Sequence, residues 1–404
     1  MKKLVIVGGK LQGLEAAYLA LKAGIETTLV DRRENPIARP LCHRFMQYDV
    51  MEKNTEILTA FMDADLVLPA LEDDEALAAL QRMSVEYGFV LAFDPKAYAI
   101  SSSKLLSDRL IHESGIPAPQ YYPGCKTPYI VKPSNLSGSH GVRHIGTKDE
   151  LEAFLSSRPA GEEWIAQEFL TGPSYSIEVI GQPGSYRTYE VTEIHMDPDY
   201  DCKRVTAPCD IPDVMRRQFE ELAVRLATIL ELRGIMDVEV IDDGGILKVL
   251  EIDARIPSQT PTEVYHCTGV NMVSELFGLF CPEKADTGKK DDVTEGNKDQ
   301  TGKQAYPQKK PTVFEHFLVD HDRIRVLGER IMGAAGPLRL ITGFCGADEA
   351  LTDYVEGAVS WRGTFINSAD STAALEVKRR RMIAEISKLQ GRRLEYLDQG
   401  PGKG

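Results

Sequence analysis

Hydrophobic positions in this chain follow two rhythms, and their alternation predicts an α/β protein. Leu4-Val5-Ile6-Val7 is a continuous apolar run, the mark of a strand buried on both faces. Gly8, Gly9 and Gly13 follow, then Leu14, Ala17, Leu21 and Ala23 at helical spacing, then a second apolar strand over 27–30 closed by Asp31. This is a βαβ unit with a glycine turn. A strand over 65–68, a helix over 74–87 and a strand over 89–92 extend it. Residues 1–95 are therefore expected to form a small doubly wound, Rossmann-like substrate domain whose strand ends make a ligand crevice.

Ser101-Ser102-Ser103-Lys104 is a cap cluster before a helix over 105–113, which Gly115 and Pro117 close. Apolar strands are predicted at 128–133, 164–170 and 175–180. A helix over 214–231 carries Phe219, Leu222, Ala223, Leu226 and Leu230 as a core stripe. Val238-Glu239-Val240 and Leu250-Glu251-Ile252-Asp253-Ala254 flank Asp242-Asp243-Gly244-Gly245, a hairpin signal. Residues 283–312 have almost no apolar side chains and are expected to be a disordered surface insertion. Strands at 313–319, 337–344 and 358–364 and a helix over 371–389 finish the pattern, with Lys378-Arg379-Arg380-Arg381 expected on a solvated face.

The hairpin carries the most suggestive chemistry. It brings Glu239 toward Glu251 and Asp253, with Arg255 in step behind them. Carboxylates gathered on apolar strands repel one another and lose hydration, so a hard cation such as Mg2+ is one reading and a solvated polar face the other. Lys132 ends an apolar strand and precedes Ser134-Asn135-Leu136-Ser137-Gly138-Ser139-His140-Gly141, a small-residue loop suited to phosphate. The first glycine turn reads G-G-x-x-x-G and lacks the dinucleotide spacing. A nucleotide-dependent oxidoreductase is therefore the weaker alternative. Glu15 and Glu72 lie near strand ends, where either can hold an ammonium group or simply be solvated.

Composition narrows the partners. The 404 residues carry a formal charge of −14, and no basic stretch is interleaved with aromatics, which argues against nucleic acid. No apolar run reaches the roughly 18 residues of a membrane span, and no leader is expected before the first strand. Seven cysteines without paired spacing suggest reduced thiols in a cytoplasm.

Lys104, the Lys132 strand with its loop, Glu168-Phe169-Leu170, Glu239 and Glu251-x-Asp253-x-Arg255 occur in the order of the ATP-grasp carboxylate–amine ligases, and the chain resembles that family over roughly residues 3–279. The resemblance implies an ATP-grasp fold: the N-terminal doubly wound domain, a central lid domain over 96–185 and a C-terminal grasp domain over 186–404. It implies that Lys104 and Lys132 hold nucleotide phosphates, that Ser137, Gly138, Ser139, His140 and Gly141 form the lid loop, and that Glu168, Phe169 and Leu170 hold adenine. Glu239, Glu251 and Asp253 would hold Mg2+, with two ions expected, and Arg255 and Lys132 would be catalytic. Two positions depart from the family pattern. Asp253 stands where Asn is usual, and Ser174 where a ribose-binding Glu is usual, which makes Glu178 a candidate for the ribose.

Val7-Gly8-Gly9-Lys10-Leu11-Gln12-Gly13 and the segment from Glu251 to Thr262 resemble more closely the ligases of pyrrolysine biosynthesis. That resemblance implies ATP-dependent joining of 3-methyl-D-ornithine to the ε-amine of L-lysine through an acyl phosphate. The substrate contacts it implies are Leu11, Gln12, Glu72, Ser176, Glu178, Asp237, Arg255, Ser258, Thr260 and Thr262, with Glu178 or Asp237 as the base. Residues 258–262 also read as a capped helix start with Pro261 in the first turn. A homodimer is common in the wider family.

Overall fold

The structure is a computed structural model that describes residues 1–52, 54–134, 141–159, 163–284 and 309–401. In the N-terminal part, strands β1 (Lys3–Val7), β2 (Glu26–Asp31), β3 (Arg44–Gln47) and β4 (Leu66–Pro69) lie parallel in the order β3-β2-β1-β4. Helix α1 (Leu11–Lys22) connects β1 to β2, α2 (Thr55–Asp63) connects β3 to β4, and α3 (Asp74–Tyr87) follows β4. A Cβ on Gly13 would lie 2.0 Å from the Gly8 carbonyl oxygen, so the glycine lets α1 close onto the turn. The strand expected at 89–92 shrinks to a single bridge between Leu91 and Val67.

Helices α4 (Pro95–Ser101) and α5 (Lys104–Glu113) come next, with Ser103 capping α5 as its hydroxyl suggests. A small antiparallel sheet follows, β5 (Tyr129–Pro133), β6 (Arg143–Ile145) and β7 (Trp164–Glu168), in the order β6-β5-β7. It packs on α6 (Lys148–Ser156) around Tyr129, Val131, Ile145 and Leu151.

The large sheet starts with β8 (Ser174–Gln182), followed by β9 (Ser185–Thr188), β10 (Thr192–Met196), β11 (Cys202–Ala207), β12 (Gly234–Asp243) and β13 (Ile246–Asp253). Strands β14 (Thr312–Asp320), β16 (Arg339–Thr342), β17 (Glu349–Thr352) and β18 (Ser360–Ser368) complete the path β13-β12-β8-β10-β11-β14-β18-β17-β16, with β9 paired to β8 and β15 (Arg323–Val326) to β14 off that path. Helix α7 (Asp213–Ile229) buries Phe219, Ala223 and Leu226 against this sheet, and α8 (Thr260–Thr268) follows β13. Ala97 and Ile111, from α4 and α5, share that core. A lid unit cut at 96–185 therefore crosses the large sheet, because β8 bonds into it and α4 and α5 pack on it. The separate small sheet runs only from Tyr129 to Glu168.

The expected solvated run near residue 379 is half turned inward. Arg379 pairs with the buried Glu315 at 2.6 Å, and Lys378 pairs with Asp348. Most of 283–312, the expected disordered insertion, lies outside the described residues.

Candidate active site

The hairpin β12–β13 turns at Gly244 and Gly245, whose φ values of 62° and 96° no β-branched residue would accept. From the turn, Asp243 pairs with Ile246 and Val240 with Val249. That register would set Glu239 against Leu250 and aim Glu251 at the other face. A β-bulge shifts the pairing between Val240 and Glu239, so Glu239 faces Glu251 and Asp237 faces Asp253. Strand β8 adds Ser176 opposite Glu239 and Glu178 opposite Asp237. Two polar rows thus cross three strands on one face, Ser176–Glu239–Glu251 and Glu178–Asp237–Asp253.

Cations meet these rows from three directions. Lys104, in the first turn of α5, donates to Glu251 at 2.7 Å. Lys132, at the end of β5, donates at 3.4 Å to the carbonyl of the bulged Leu250. Arg255 pairs with Asp253 at 3.1 Å and with Glu72 at 2.5 Å, and Gln12 donates to Glu72 at 2.6 Å. This chain ties the N-terminal crevice to the hairpin. Behind it, the Ala254 N–H donates to the buried Ser101 hydroxyl at 3.0 Å and fixes the backbone between Asp253 and Arg255.

The titration of the rows follows from this arrangement. Burial and then the facing Glu251 push Glu239 up to about 8. Burial, outweighing Arg255, pushes Asp253 to about 7, and burial with the Asp253 charge holds Asp237 well above the carboxylate range. Burial acts on Glu251 too, but Lys104 and Lys132 overcome it and hold that carboxyl below its ordinary value.

Among the described residues no group of three His, Cys, Asp or Glu side chains is drawn together at metal-binding spacing. Glu251 is turned onto Lys104, and Asp253 onto Arg255. The donor set still fits a hard divalent ion. Its donors are all carboxylate oxygens, and Glu239 has no ion pair of its own among the described residues.

The rows and the adjoining start of α8 also hold a cluster of buried polar atoms. Ser176 Oγ, both carboxylate oxygens of Glu178, Asp237 Oδ1 and the Thr260 and Thr262 hydroxyls are buried without a well-formed hydrogen bond. Thr260 faces Glu178, whose carboxyl burial raises to about 7. Buried acceptors of this kind call for a donor-rich, cationic group.

The other expected residues divide. Glu168 accepts from the Gln120 N–H at 2.9 Å and from Lys248 at 2.6 Å, so its carboxylate ties the end of β7 to the hairpin strand β13. Phe169 donates its own N–H to the Pro128 carbonyl at 3.0 Å, and Leu170 follows it. Ser137, Gly138, Ser139 and His140 lie outside the described residues, and Gly141 follows them at φ 79°. Glu178 is four residues along β8 from Ser174, and Ser174 pairs with Ile241, the partner of Lys248. That places Glu178 about 13 Å along the strand from the hinge side. It stands with Asp237, as a substrate contact would, and away from where a ribose beside Glu168 would lie. Leu11 opens α1 and packs on the N-terminal core.

Glu15, read from the sequence as either an ammonium holder or a solvated carboxylate, is buried and bonded to backbone. Its carboxylate caps α8, accepting from the Thr262 N–H at 2.5 Å and the Gln259 N–H at 3.2 Å. Asp31, the residue a dinucleotide ribose would need, accepts from the Gly9 N–H and from Arg33. Sequence reasoning missed Glu329, which accepts from Ser258 at 2.7 Å from a segment 71 residues downstream. It also passed over Lys248 and Ser101. No motif marks them, and only Ser101 had a signal, within the serine cap cluster.

Comparison with known proteins agrees with this geometry. Residues 101–259 match the ATP-grasp domain family. The chain is 38% identical over 281 residues to 3-methyl-D-ornithine–L-lysine ligase of Methanosarcina acetivorans, covering 69% of this chain and 74% of the relative. To the enzyme of the same name from Methanosarcina barkeri it is 34% identical over 333 residues, covering 82% and 84%. Among solved structures, a biotin carboxylase complex from Campylobacter jejuni superposes with a TM-score of 0.69 at 12% identity, covering 95% of this chain and 91% of that one. The fold is thus ATP-grasp, as the sequence led us to expect, and the oxidoreductase alternative falls. The chain belongs to the ATP-grasp ligases, in the family of the 3-methyl-D-ornithine–L-lysine ligases, and is an ATP-dependent carbon–nitrogen ligase.

Proposed function

We propose that the enzyme joins the carboxylate of 3-methyl-D-ornithine to the ε-amine of L-lysine, with ATP converting that carboxylate to an acyl phosphate. The observation that carries this reading is the cluster of buried acceptors, Glu178, Asp237 and Thr260, next to the Arg255–Glu72 pair. Both substrates are diamino acids, so each brings surplus ammonium charge that such acceptors would neutralise.

In this reading Lys104 and Lys132 hold nucleotide phosphate, and the backbone after Glu168 holds adenine. Glu239, Glu251 and Asp253 hold two Mg2+ ions, which when bound neutralise phosphate charge. Arg255 sits where charge develops on the acyl group and steadies it. Methylornithine lies by Arg255 with its carboxylate toward the γ-phosphate, and Gln12 and Glu72 face the other amino acid. Lysine's ammonium, with an ordinary pKa near ~10.4, must lose a proton before attack. Asp237 is the proposed acceptor, because it stands opposite Glu178 on the polar row and keeps a buried carboxylate oxygen without a hydrogen bond. The tetrahedral adduct then expels phosphate and leaves the amide.

The test is phosphate release with each amino acid alone and with both, followed by mass analysis. The reading expects phosphate in step with a product equal to the two amino acids less one water, and only when both are present. Phosphate release with a different amino-acid pair, and none with this one, would assign the same chemistry to another substrate.

A further inference from the structure

Directly after Arg255 the chain makes an unusual reversal. Gln259 has φ 72° and ψ −58°, and the Thr260 N–H donates to the Ser258 carbonyl at 2.9 Å. A hydrogen bond spanning one residue at those angles is a γ-turn of the positive-φ kind, which is rare and strained. A glycine would adopt it freely, yet the residue is glutamine, buried and 5% exposed. Strain of this sort persists only where the surroundings over-determine it.

Three separate elements grip this turn. Glu15, from α1, takes the Gln259 N–H and the Thr262 N–H. Glu329, from the segment after β15, takes the Ser258 hydroxyl. His316, from β14, meets the Gln259 side-chain oxygen through Nε2 at 3.2 Å, while its Nδ1 meets the Thr364 hydroxyl at 2.7 Å. Because that amide oxygen can only accept, Nε2 carries the proton and Nδ1 accepts from Thr364. The ring is buried, 2% exposed. The reversal sends the Gln259 side chain into the sheet and leaves the Thr260 hydroxyl facing Glu178.

We infer that the Gln259 turn is a strained, preformed wall of the amino-acid pocket, and that Gln259 and His316 are positioning residues for the substrate at Glu178. They touch no reacting atom. They fix where Ser258 and Thr260 stand, and so set the fit of the amino acid without affecting ATP. This rests on the reading of Glu178 and Thr260 as substrate contacts.

The test compares Gln259→Gly with Gln259→Ala, and His316→Leu with His316→Gln. Glycine accepts the turn without a Cβ but loses the same His316 bond as alanine, so without ligands Gln259→Gly should melt above Gln259→Ala. Gln259→Ala keeps the strained Cβ, loses the His316 bond and should melt lower. Both should raise KM for one amino acid by about tenfold and leave KM for ATP within about twofold. His316→Gln keeps a side-chain N–H donor and should recover most of that KM, whereas His316→Leu should not. A Gln259→Gly enzyme that melts no higher than Gln259→Ala, or unchanged KM for both amino acids, overturns the inference. If wild type fails to turn over methylornithine with lysine, the proposed function falls by itself. The melting comparison still judges the turn, and the KM arm is then run with the amino acids that do elicit phosphate release.

Discussion

Glu239 and Glu251 face each other across β12 and β13 because one extra residue, Leu250, is bulged out of the ladder between them and the turn. The same bulge turns the Leu250 carbonyl to Lys132. One insertion in the register therefore gathers the acidic row and docks the lysine of the small sheet on it. The site is strained by like charge, and several expectations follow from that.

Glu239→Gln removes a carboxylate that has no ion pair among the described residues. Melting without ligands should rise above about pH 8, where the Glu239 carboxyl is ionised and repelled by Glu251 and Asp253. With Glu239 as the proposed Mg2+ ligand, turnover should fall by at least about 100-fold. Phosphate release and Mg2+ titration calorimetry check the two effects separately, and retained Mg2+ affinity would remove Glu239 from the metal set.

Ser101→Ala leaves the buried Ala254 N–H without an acceptor. The loss should be about 1–3 kcal/mol of stability. Because that N–H lies between Asp253 and Arg255, the Mg2+ concentration needed for half-maximal turnover should rise as well. Ser101→Thr, which keeps the hydroxyl, should recover the Mg2+ dependence. Denaturant melts and an Mg2+ series of initial rates measure both.

Glu15 gives a pH prediction with a definite sign. Burial is the main cause that raises its carboxyl from 4.5 to about 7 in the folded state. The folded protein then binds more protons than the unfolded chain between those values. The stability it contributes is fully present below the unfolded value and is lost as pH rises through 7, by an amount on the order of 3 kcal/mol. In Glu15→Gln that loss is absent. The difference in melting temperature, variant minus wild type, should therefore climb between about pH 5 and pH 8. A flat difference across that range would contradict it.

Gly172→Ala tests the hinge. A Cβ there would stand 1.8 Å from the Asp242 carbonyl oxygen, and the Asp242 N–H donates to the Pro173 carbonyl at 3.0 Å. The hinge and the hairpin turn are packed backbone to backbone at this point. The variant should lose about 1–3 kcal/mol from overpacking and raise KM for ATP more than KM for either amino acid. An unchanged KM for ATP would show that the hinge tolerates displacement.

Much of the molecule was legible before any coordinates. The apolar run at Leu4 to Val7, the stripe on α7 and the glycine turn of the hairpin declare their elements through local spacing alone. So did Lys104, Lys132, Glu239 and Glu251, whose order along the chain resembles one family. The limits show at particular residues. Val90 has strand-like neighbours, but only Leu91 finds a partner, because sheet membership depends on what lies alongside. Glu178 was read for ribose or for substrate, and the structure sets it opposite Asp237, four residues along β8 from Ser174.

Composition and periodicity by themselves determined the α/β class, the main helices and strands, and which charged residues sit at strand ends. They do so because side-chain direction repeats locally every two or 3.6 residues. Tertiary structure alone decided the bulge that reverses the facing of Glu251, the capping of α8 by Glu15 across 247 residues, and the grip of His316 on Gln259. Each of these is a contact between segments far apart in the chain, selected by packing and by the cost of leaving a buried polar group unpaired.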